Sequence, residues 1–320
     1  MSLAFVFPGQ GSQTIGMGRD LADAFPVARR VFQEIDDALS QHLSRLIFEG
    51  AQEELNLTEN TQPALMAVSM AVVRVLEDMG KKPLVQLASC VAGHSLGEYS
   101  ALAAIGAFSV ADTARLLKLR GRAMQSAVPV GIGAMAALLS PEITVEAAAA
   151  IAAEAEANPD GPAEVCQAAN DNAPGQVVIS GHKGAVERAI KIAAEKGFRR
   201  AIMLPVSAPF HCRLMQPAAD AMAEALAKAT IAPLALPLIA NVTAAPVTTP
   251  AEMRRLLVEQ VTGRVRWRES VLAMKALGVD RIAELGAGKA LTGMVKRIDS
   301  EISGSSVGTP ADIEALLGSL

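Results

Sequence analysis

Gly93-His94-Ser95-Leu96-Gly97 has the form G-x-S-x-G, a serine flanked by glycines at the spacing of a nucleophile elbow. The chemistry such a pattern serves is acyl transfer through a serine ester. The glycines permit a sharp turn between a strand and a helix, which holds the serine oxygen out of the sheet. The flanking sequence supplies that context. Val85–Ala92 reads as an apolar strand before the motif, and Glu98–Ala104 has helix-forming composition after it. An ordinary strand-to-helix turn is the plainer alternative, but strand and helix on the two sides favour a catalytic serine.

A serine hydroxyl is a weak nucleophile at neutral pH and needs a base within hydrogen-bond reach. The chain has four histidines. His42, near a helix end, and His182, at the head of a helix, read as surface or capping residues. His94 adjoins Ser95 on a tight turn, so its side chain is expected to point elsewhere in a supporting role. His211 follows the strand-like Ala201–Val206 through Ser207-Ala208-Pro209-Phe210, just beyond a strand end. Catalytic groups gather at the carboxyl ends of parallel strands, so His211 is the candidate general base and acid.

A triad of the α/β-hydrolase order would need Asp or Glu between Ser95 and His211. Asp112 and the acids that follow it fall mostly on helices, none at an obvious strand end. A Ser–His pair oriented by a backbone carbonyl or an amide side chain is the more economical expectation. Phe7–Gln13 is a glycine-rich loop after the first strand, without the P-loop Lys-Ser/Thr or the full dinucleotide spacing. Beyond a simple tight turn, its use would be to aim a backbone N–H at the elbow, with the Leu96 N–H as the second oxyanion donor. Arg120 and Arg122 stand at the end of a helix, where Arg122 would complement the macrodipole and Arg120 is read as serving more than that.

These residues must be positioned by alternating strands and helices. Leu3–Phe7 reads as a buried strand, and residues 20–39 as an amphipathic helix. Residues 46–57 read as an irregular connection, and Thr61–Met79 as a strong helix with Gly80 just past its end. A further helix spans Val110–Ala127. From Ala134 the order becomes strand, helix, strand, strand, helix, strand, the split βαβ pattern of a ferredoxin-like module. Its strands are Ala134–Leu139, Ala163–Ala169, Gln176–Ser180 and Arg199–Leu204, with helices Pro141–Ala157 and Gly184–Lys196 between them. Beyond Pro205 come a helix at Cys212–Lys228, a strand at Leu236–Val242 and helices at 252–260 and 270–277. Arg281–Leu285 reads as the final strand. The expected architecture is α/β: an α/β-hydrolase-like core of residues 1–131 and 206–320 with a mostly parallel sheet, and an inserted ferredoxin-like subdomain of residues 132–205.

Bulk properties narrow the function. A chain of 320 residues has room for two domains, or one large domain with an insertion. Hydrophobic residues make up 51% and aromatics 3%, so the core is built from Ala, Val, Leu, Ile and Met. With a net charge of −4 and no basic stripe, nucleic-acid binding is not expected. Arg264-Val265-Arg266-Trp267-Arg268 reads as a solvated patch. The three cysteines Cys90, Cys166 and Cys212 form no C-x-x-C pair, which argues against a disulfide framework or a metal site and fits a reducing cytoplasm. The N-terminus reads as a first strand rather than a signal peptide. Mean hydropathy is +0.31, yet no window approaches the ~20 apolar residues of a membrane span. No coiled-coil or apolar stripe suggests more than a monomer.

Several segments together resemble the malonyl-CoA:acyl carrier protein transacylases of type II fatty acid synthesis. They are Phe-Pro-Gly-Gln-Gly-Ser-Gln at 7–13, Gly-His-Ser-Leu-Gly-Glu-Tyr at 93–99 and Arg-Gly-Arg-Ala-Met-Gln at 120–125. Asn-Ala-Pro-Gly-Gln-Val-Val-Ile-Ser-Gly at 172–181, Pro-Phe-His at 209–211 and Gly-Ala-Gly-Lys-Ala-Leu-Thr-Gly at 286–293 complete the set, in an order that covers nearly the whole chain. The resemblance implies Ser95 as the acylated nucleophile, His211 as its base, and the Gln10 and Leu96 N–H groups as the oxyanion hole. Arg120 would pair bidentately with the malonyl carboxylate, as a planar guanidinium can. Gln260 would orient the histidine through its main-chain oxygen. Phe210, Met124 and His94 would line the substrate pocket. Ala287 stands where proline is common and Phe210 where some relatives have serine, which leaves fine acyl preference open.

The implied reaction is ping-pong transfer from malonyl-CoA to holo acyl carrier protein, with no cofactor beyond the phosphopantetheine that the partner carries. A serine esterase or thioesterase, or a non-catalytic docking subunit, would use the same fold. An acyltransferase serving polyketide synthesis or malonate decarboxylation would use the same chemistry.

Overall fold

Carboxyl ends of parallel strands converge on one edge of the larger of two sheets, and that edge is where the elbow lies. The computed structural model describes residues 2–159 and 161–320. Its strands are β1 (Leu3–Phe7), β2 (Cys90–Gly93), β3 (Gly133–Leu139), β4 (Cys166–Ala173), β5 (Gln176–His182), β6 (Ala201–Met203), β7 (Leu238–Ile239), β8 (Pro246–Val247), β9 (Arg281–Leu285) and β10 (Ser303–Val307). The larger sheet runs β10-β9-β1-β2-β7-β8 and is parallel except for β8 at its edge.

Central position explains the sequence of β1. All five residues are buried, with Phe5 and Phe7 packing on one side and Ala4 and Val6 on the other. Successive side chains of a strand face opposite ways, so a strand covered on both faces reads as a continuous apolar run. The Phe face carries the larger core, with helix Thr58–Gly80 against it; the Ala/Val face packs on Trp267, Val271 and Leu291.

The smaller sheet has the order β4-β5-β3-β6, antiparallel throughout, with connecting helices Val145–Ala155 and Lys183–Glu195. Alternation along β3 assigns its faces. Ala134, Ala136 and Leu138 pack under those helices, while Met135 and Ala137 join the larger core. Backbone hydrogen bonds tie this sheet to the rest: the Asp171 N–H donates to the Val265 carbonyl and the Val265 N–H to the Ala169 carbonyl, both at 2.9 Å. Arg268 closes the same junction with an ion pair to the buried Asp171 at 2.9 Å.

Several expectations need correction. The helix read at 20–39 breaks at Phe25, because Pro26 cannot continue the preceding hydrogen-bond ladder; helices Arg19–Ala24 and Pro26–Leu39 result. The 46–57 connection is instead two short helices, Leu43–Glu49 and Gln52–Leu55. Helix Thr58–Gly80 starts earlier than read, and Lys81 caps it in the left-handed region. The elbow strand is only Cys90–Gly93, since Leu84–Gln86 forms a 3-10 turn after Pro83. The strand read at 236–242 shrinks to β7, and β9 is not the last strand: helix Ala290–Ile298, β10 and helix Pro310–Gly318 follow it. The arginine-rich patch is ion-paired, Arg266 with Glu269 and Arg268 with Asp171.

Glycine is required where the elbow meets β1. A Cβ on Gly97 would stand 2.2 Å from the Phe7 carbonyl oxygen, and one on Gly93 would stand 2.0 Å from the Gly97 carbonyl. Both obstacles are backbone and cannot rotate away. Gly97→Ala is therefore expected to destabilise the protein by about 3 kcal/mol, the upper end of overpacking costs. Urea unfolding midpoints measure this, and an unchanged midpoint would show that the strand and elbow separate easily.

Candidate active site

Three adjacent parallel strands deliver the backbone of the site. β1 runs into Pro8-Gly9-Gln10, β2 into His94-Ser95, and β7 towards Asn241. Ser95 has φ 53°, a left-handed conformation uncommon for a residue with a Cβ. Asn241, fully buried, braces that conformation: its Oδ1 accepts the Ser95 N–H at 2.7 Å and its Nδ2 donates to the Gly93 carbonyl at 2.6 Å.

His211 sits opposite, also left-handed at φ 58°, and its Nε2 lies 2.8 Å from Ser95 Oγ. Nδ1 faces two carbonyl oxygens, Gln260 at 2.9 Å and Gly263 at 3.1 Å. Two acceptors place the proton on Nδ1, which leaves the Nε2 lone pair for the serine hydroxyl. Burial pushes this imidazole down to about 3, assisted by the positive charge of Arg120. The histidine thus rests neutral, as a base.

Arg120 reaches the same point from helix Val110–Ser126. Its Nη2 donates to Ser95 Oγ at 3.1 Å and to Gln260 Oε1 at 2.8 Å, and Nη1 donates to Gln62 Oε1 at 2.9 Å. Gly121 makes this approach possible, since a Cβ there would stand 2.6 Å from the Thr58 carbonyl of the neighbouring helix. The helix continues to Ser126, so the two arginines lie before its end. Arg122 pairs with Glu59 at 2.6 Å rather than with the last carbonyls.

Ser95, Arg120 and His211 line a cleft of about 350 Å³ together with Gln10, Leu96, His94, Met124 and Phe210. Met135 and Val178 of the smaller sheet form its other wall. Gln260 lies behind the cleft and is fully buried. His94 turns away from Ser95, and its Nε2 meets Asn172 Oδ1 at 2.9 Å. Burial lowers the His94 imidazole below its ordinary range. His182 is held by structure: its Nδ1 accepts the Val165 N–H at 2.8 Å. Among the described residues, neither the Gln10 nor the Leu96 backbone N–H donates a hydrogen bond.

Sequence reasoning missed the amide and carboxyl groups behind the reacting side chains. Gln62, Asn241 and the side chain of Gln260 carried no spacing signal. Glu98 stood in plain view after the elbow. It is fully buried and accepts from the Asn241 N–H at 2.8 Å and from Gln260 Nε2. Burial raises its carboxyl, opposed by those donors and by Arg120.

A half-buried serine paired with a buried histidine, with a guanidinium on the serine oxygen, has the geometry of an acyl-transfer site, and comparison with known proteins agrees. The acyl transferase domain family matches residues 4–297. The malonyl CoA-acyl carrier protein transacylase of Escherichia coli K12 is 45% identical over 98% of both chains.

The chain belongs to the malonyl-CoA:acyl carrier protein transacylase family.

Solved transacylases share its fold. An acyl-carrier-protein S-malonyltransferase from Bartonella henselae is 54% identical, covers 99% of this chain and 100% of its own, and superposes with a TM-score of 0.92. A malonyl-transacylase in complex with a type II PKS acyl-carrier protein is 41% identical over the full length of both chains, with a TM-score of 0.94. This transacylase therefore has the mixed α/β architecture of its relatives, with a mostly parallel sheet and a second, antiparallel one. None of its helices, among the described residues, is long and apolar enough to cross a membrane.

The depressed imidazole gives a pH prediction. An unfolded histidine takes up a proton near pH 6.5, whereas His211 in the folded protein does so only at about 3. Its base form consequently persists through mild acid, and its contribution to stability is complete above 6.5 and declines as pH falls towards 3. Single-turnover acylation of Ser95 should change by less than about twofold between pH 7 and pH 5. An acid limb with its midpoint near 6.5 would mean that the resting imidazole is solvated.

Proposed function

We propose that the chain transfers the malonyl group of malonyl-CoA to the phosphopantetheine thiol of acyl carrier protein through a malonyl ester on Ser95. The single observation that carries the malonyl part is the buried Arg120 guanidinium, 3.1 Å from the serine oxygen. A neutral acyl group has no use for a cation there. A carboxylate two bonds beyond the reacting carbonyl does.

In the first half-reaction, Ser95 Oγ passes its proton to His211 Nε2 and attacks the thioester carbonyl. Gln10 and Leu96 offer their unpaired N–H groups to the developing oxyanion. The C–S bond then breaks, His211 returns the proton to the departing CoA sulfur, and the ester remains. In the second half-reaction the phosphopantetheine thiol gives its proton to His211 and attacks the ester, and Ser95 recovers its hydroxyl. Gln260 orients His211 throughout by its main-chain oxygen. Met124, Phe210 and His94 shape the pocket, with the Phe210 ring set to crowd a branch on the acyl chain. The serine carries the acyl group and the partner brings its own phosphopantetheine, so no cofactor is required.

Residues 132–205 fit an inserted ferredoxin-like subdomain between core segments 1–131 and 206–320, in keeping with the β4-β5-β3-β6 order. Three free, buried cysteines suit a cytoplasmic, monomeric enzyme.

Arg120→Ala leaves the substrate carboxylate without a partner, which should cost ~2–5 kcal/mol of binding in a desolvated site. The variant is expected to lose malonyl transfer and to accept acetyl or longer neutral groups. Intact-protein mass measurement after mixing with malonyl-CoA should show a malonyl increment on the wild type but not on Ser95→Ala. Holo acyl carrier protein should discharge it. Spontaneous release of malonate without an acceptor would make the enzyme a thioesterase.

A further inference from the structure

Among the described residues, Glu98 is the one buried carboxyl in contact with the machinery that the reaction scheme above leaves without a task. It lies in the first turn of helix Gly97–Ala104, immediately past the elbow, and is wholly shielded from solvent. Its Oε1 accepts the backbone N–H of Asn241 at 2.8 Å, and its Oε2 accepts from Gln260 Nε2. Both carboxyl oxygens accept in these contacts, whereas an amide has one accepting oxygen and one donating nitrogen. Gln260 must then present its nitrogen to Glu98. That nitrogen also donates to the Ser95 carbonyl at 3.0 Å, so the amide oxygen is left facing Arg120, where Nη2 donates to it at 2.8 Å. The reversed amide would set nitrogen against guanidinium and oxygen against two acceptors, losing every one of these hydrogen bonds.

We infer that Glu98 is a positioning residue for acyl selectivity: it fixes which way the Gln260 amide faces, and Gln260 with Gln62 holds the Arg120 guanidinium ready for a carboxylate. The inference rests on reading Arg120 as the malonyl clamp. Glu98 touches no substrate; one of its oxygens faces Gln260 and the other holds the Asn241 backbone N–H. The arrangement gives Arg120 one amide oxygen at each terminal nitrogen, Gln62 on Nη1 and Gln260 on Nη2, and so sets the plane of its fork.

Glu98→Gln keeps the size and shape of the side chain but changes one acceptor into a donor. The fixed Asn241 N–H claims the new amide oxygen, and the new nitrogen then faces Gln260 Nε2 as donor against donor. Arg120 loses its ordered acceptor. The test compares kcat/KM for malonyl and acetyl transfer in the wild type, Glu98→Gln, Gln260→Ala, the double variant and Arg120→Ala, with thermal melting of each. Glu98→Gln should lower the malonyl-to-acetyl ratio by about tenfold, the worth of one charge-assisted hydrogen bond, while acetyl transfer changes little. Gln260→Ala should lower the ratio as well, with acetyl transfer itself reduced because the Ser95 carbonyl loses its donor. The double variant should lower the ratio no further than either alone, because both act on one contact chain.

A folded Glu98→Gln protein with an unaltered ratio, or two effects that multiply in the double variant, would overturn the inference while leaving the clamp intact. An unaltered ratio in Arg120→Ala would remove the clamp itself. Should Glu98→Gln fail to fold, Gln260→Ala decides: a lowered ratio supports the contact chain and an unchanged one ends it.

Discussion

Ser95, His211 and Arg120 all take their bearing from Gln260. Its carbonyl oxygen holds His211 Nδ1, its amide oxygen holds Arg120, and its amide nitrogen holds the Ser95 carbonyl. The residue lies in the last turn of helix Pro250–Thr262, where carbonyls have run out of intrahelical partners. Gln260 and Gly263 turn theirs towards the imidazole. The negative end of the helix dipole therefore faces the imidazole, where it would favour a positive charge. This is the office that a third acid fills in other serine enzymes. A buried carboxylate beside His211 would hold the proton more tightly at rest, and would itself draw the Arg120 guanidinium.

That constraint is expensive in backbone conformation. Ser95 and His211 both occupy the left-handed region, each at a cost of about 1–3 kcal/mol that the surroundings must offset. Asn241 supplies part of the offset by bonding both sides of the elbow, and the close contact of Gly97 with the Phe7 carbonyl leaves the turn no slack. Rigidity on the side of the nucleophile matches the placement of Arg120, which a glycine contact with the neighbouring helix holds in position.

The motif-bearing residues were legible in the sequence because backbone geometry restricts them. Only glycine tolerates the approaches at 93 and 97, so the elbow announces itself. The strand expected before His211 is present, but β6 belongs to the antiparallel sheet and not to the parallel one expected. The βαββαβ order of the smaller sheet showed through its alternation of apolar residues. The short edge strands and the C-terminal helices did not. β7 has two residues and β10 is largely serine and glycine, so neither carries an apolar period. Glu98, Asn241 and the Gln260 side chain were hidden for another reason. Buried amide networks depend on residues 143 and 162 positions apart meeting in space, and no local pattern encodes that meeting.

The backbone pairing of Ala169 and Asp171 with Val265 joins the smaller sheet to the chain just beyond Gln260 and Gly263. Those two carbonyls orient the imidazole. The cleft wall formed by Met135 and Val178 is thus mechanically in series with His211. Swinging that wall outward to admit a bulky acceptor would pull on the segment that sets His211, and would disarm the site as it opened. A cleft walled by two sheets joined in this way suits a slender acceptor, such as a thiol on a long, flexible arm, better than a folded protein surface brought up to the serine.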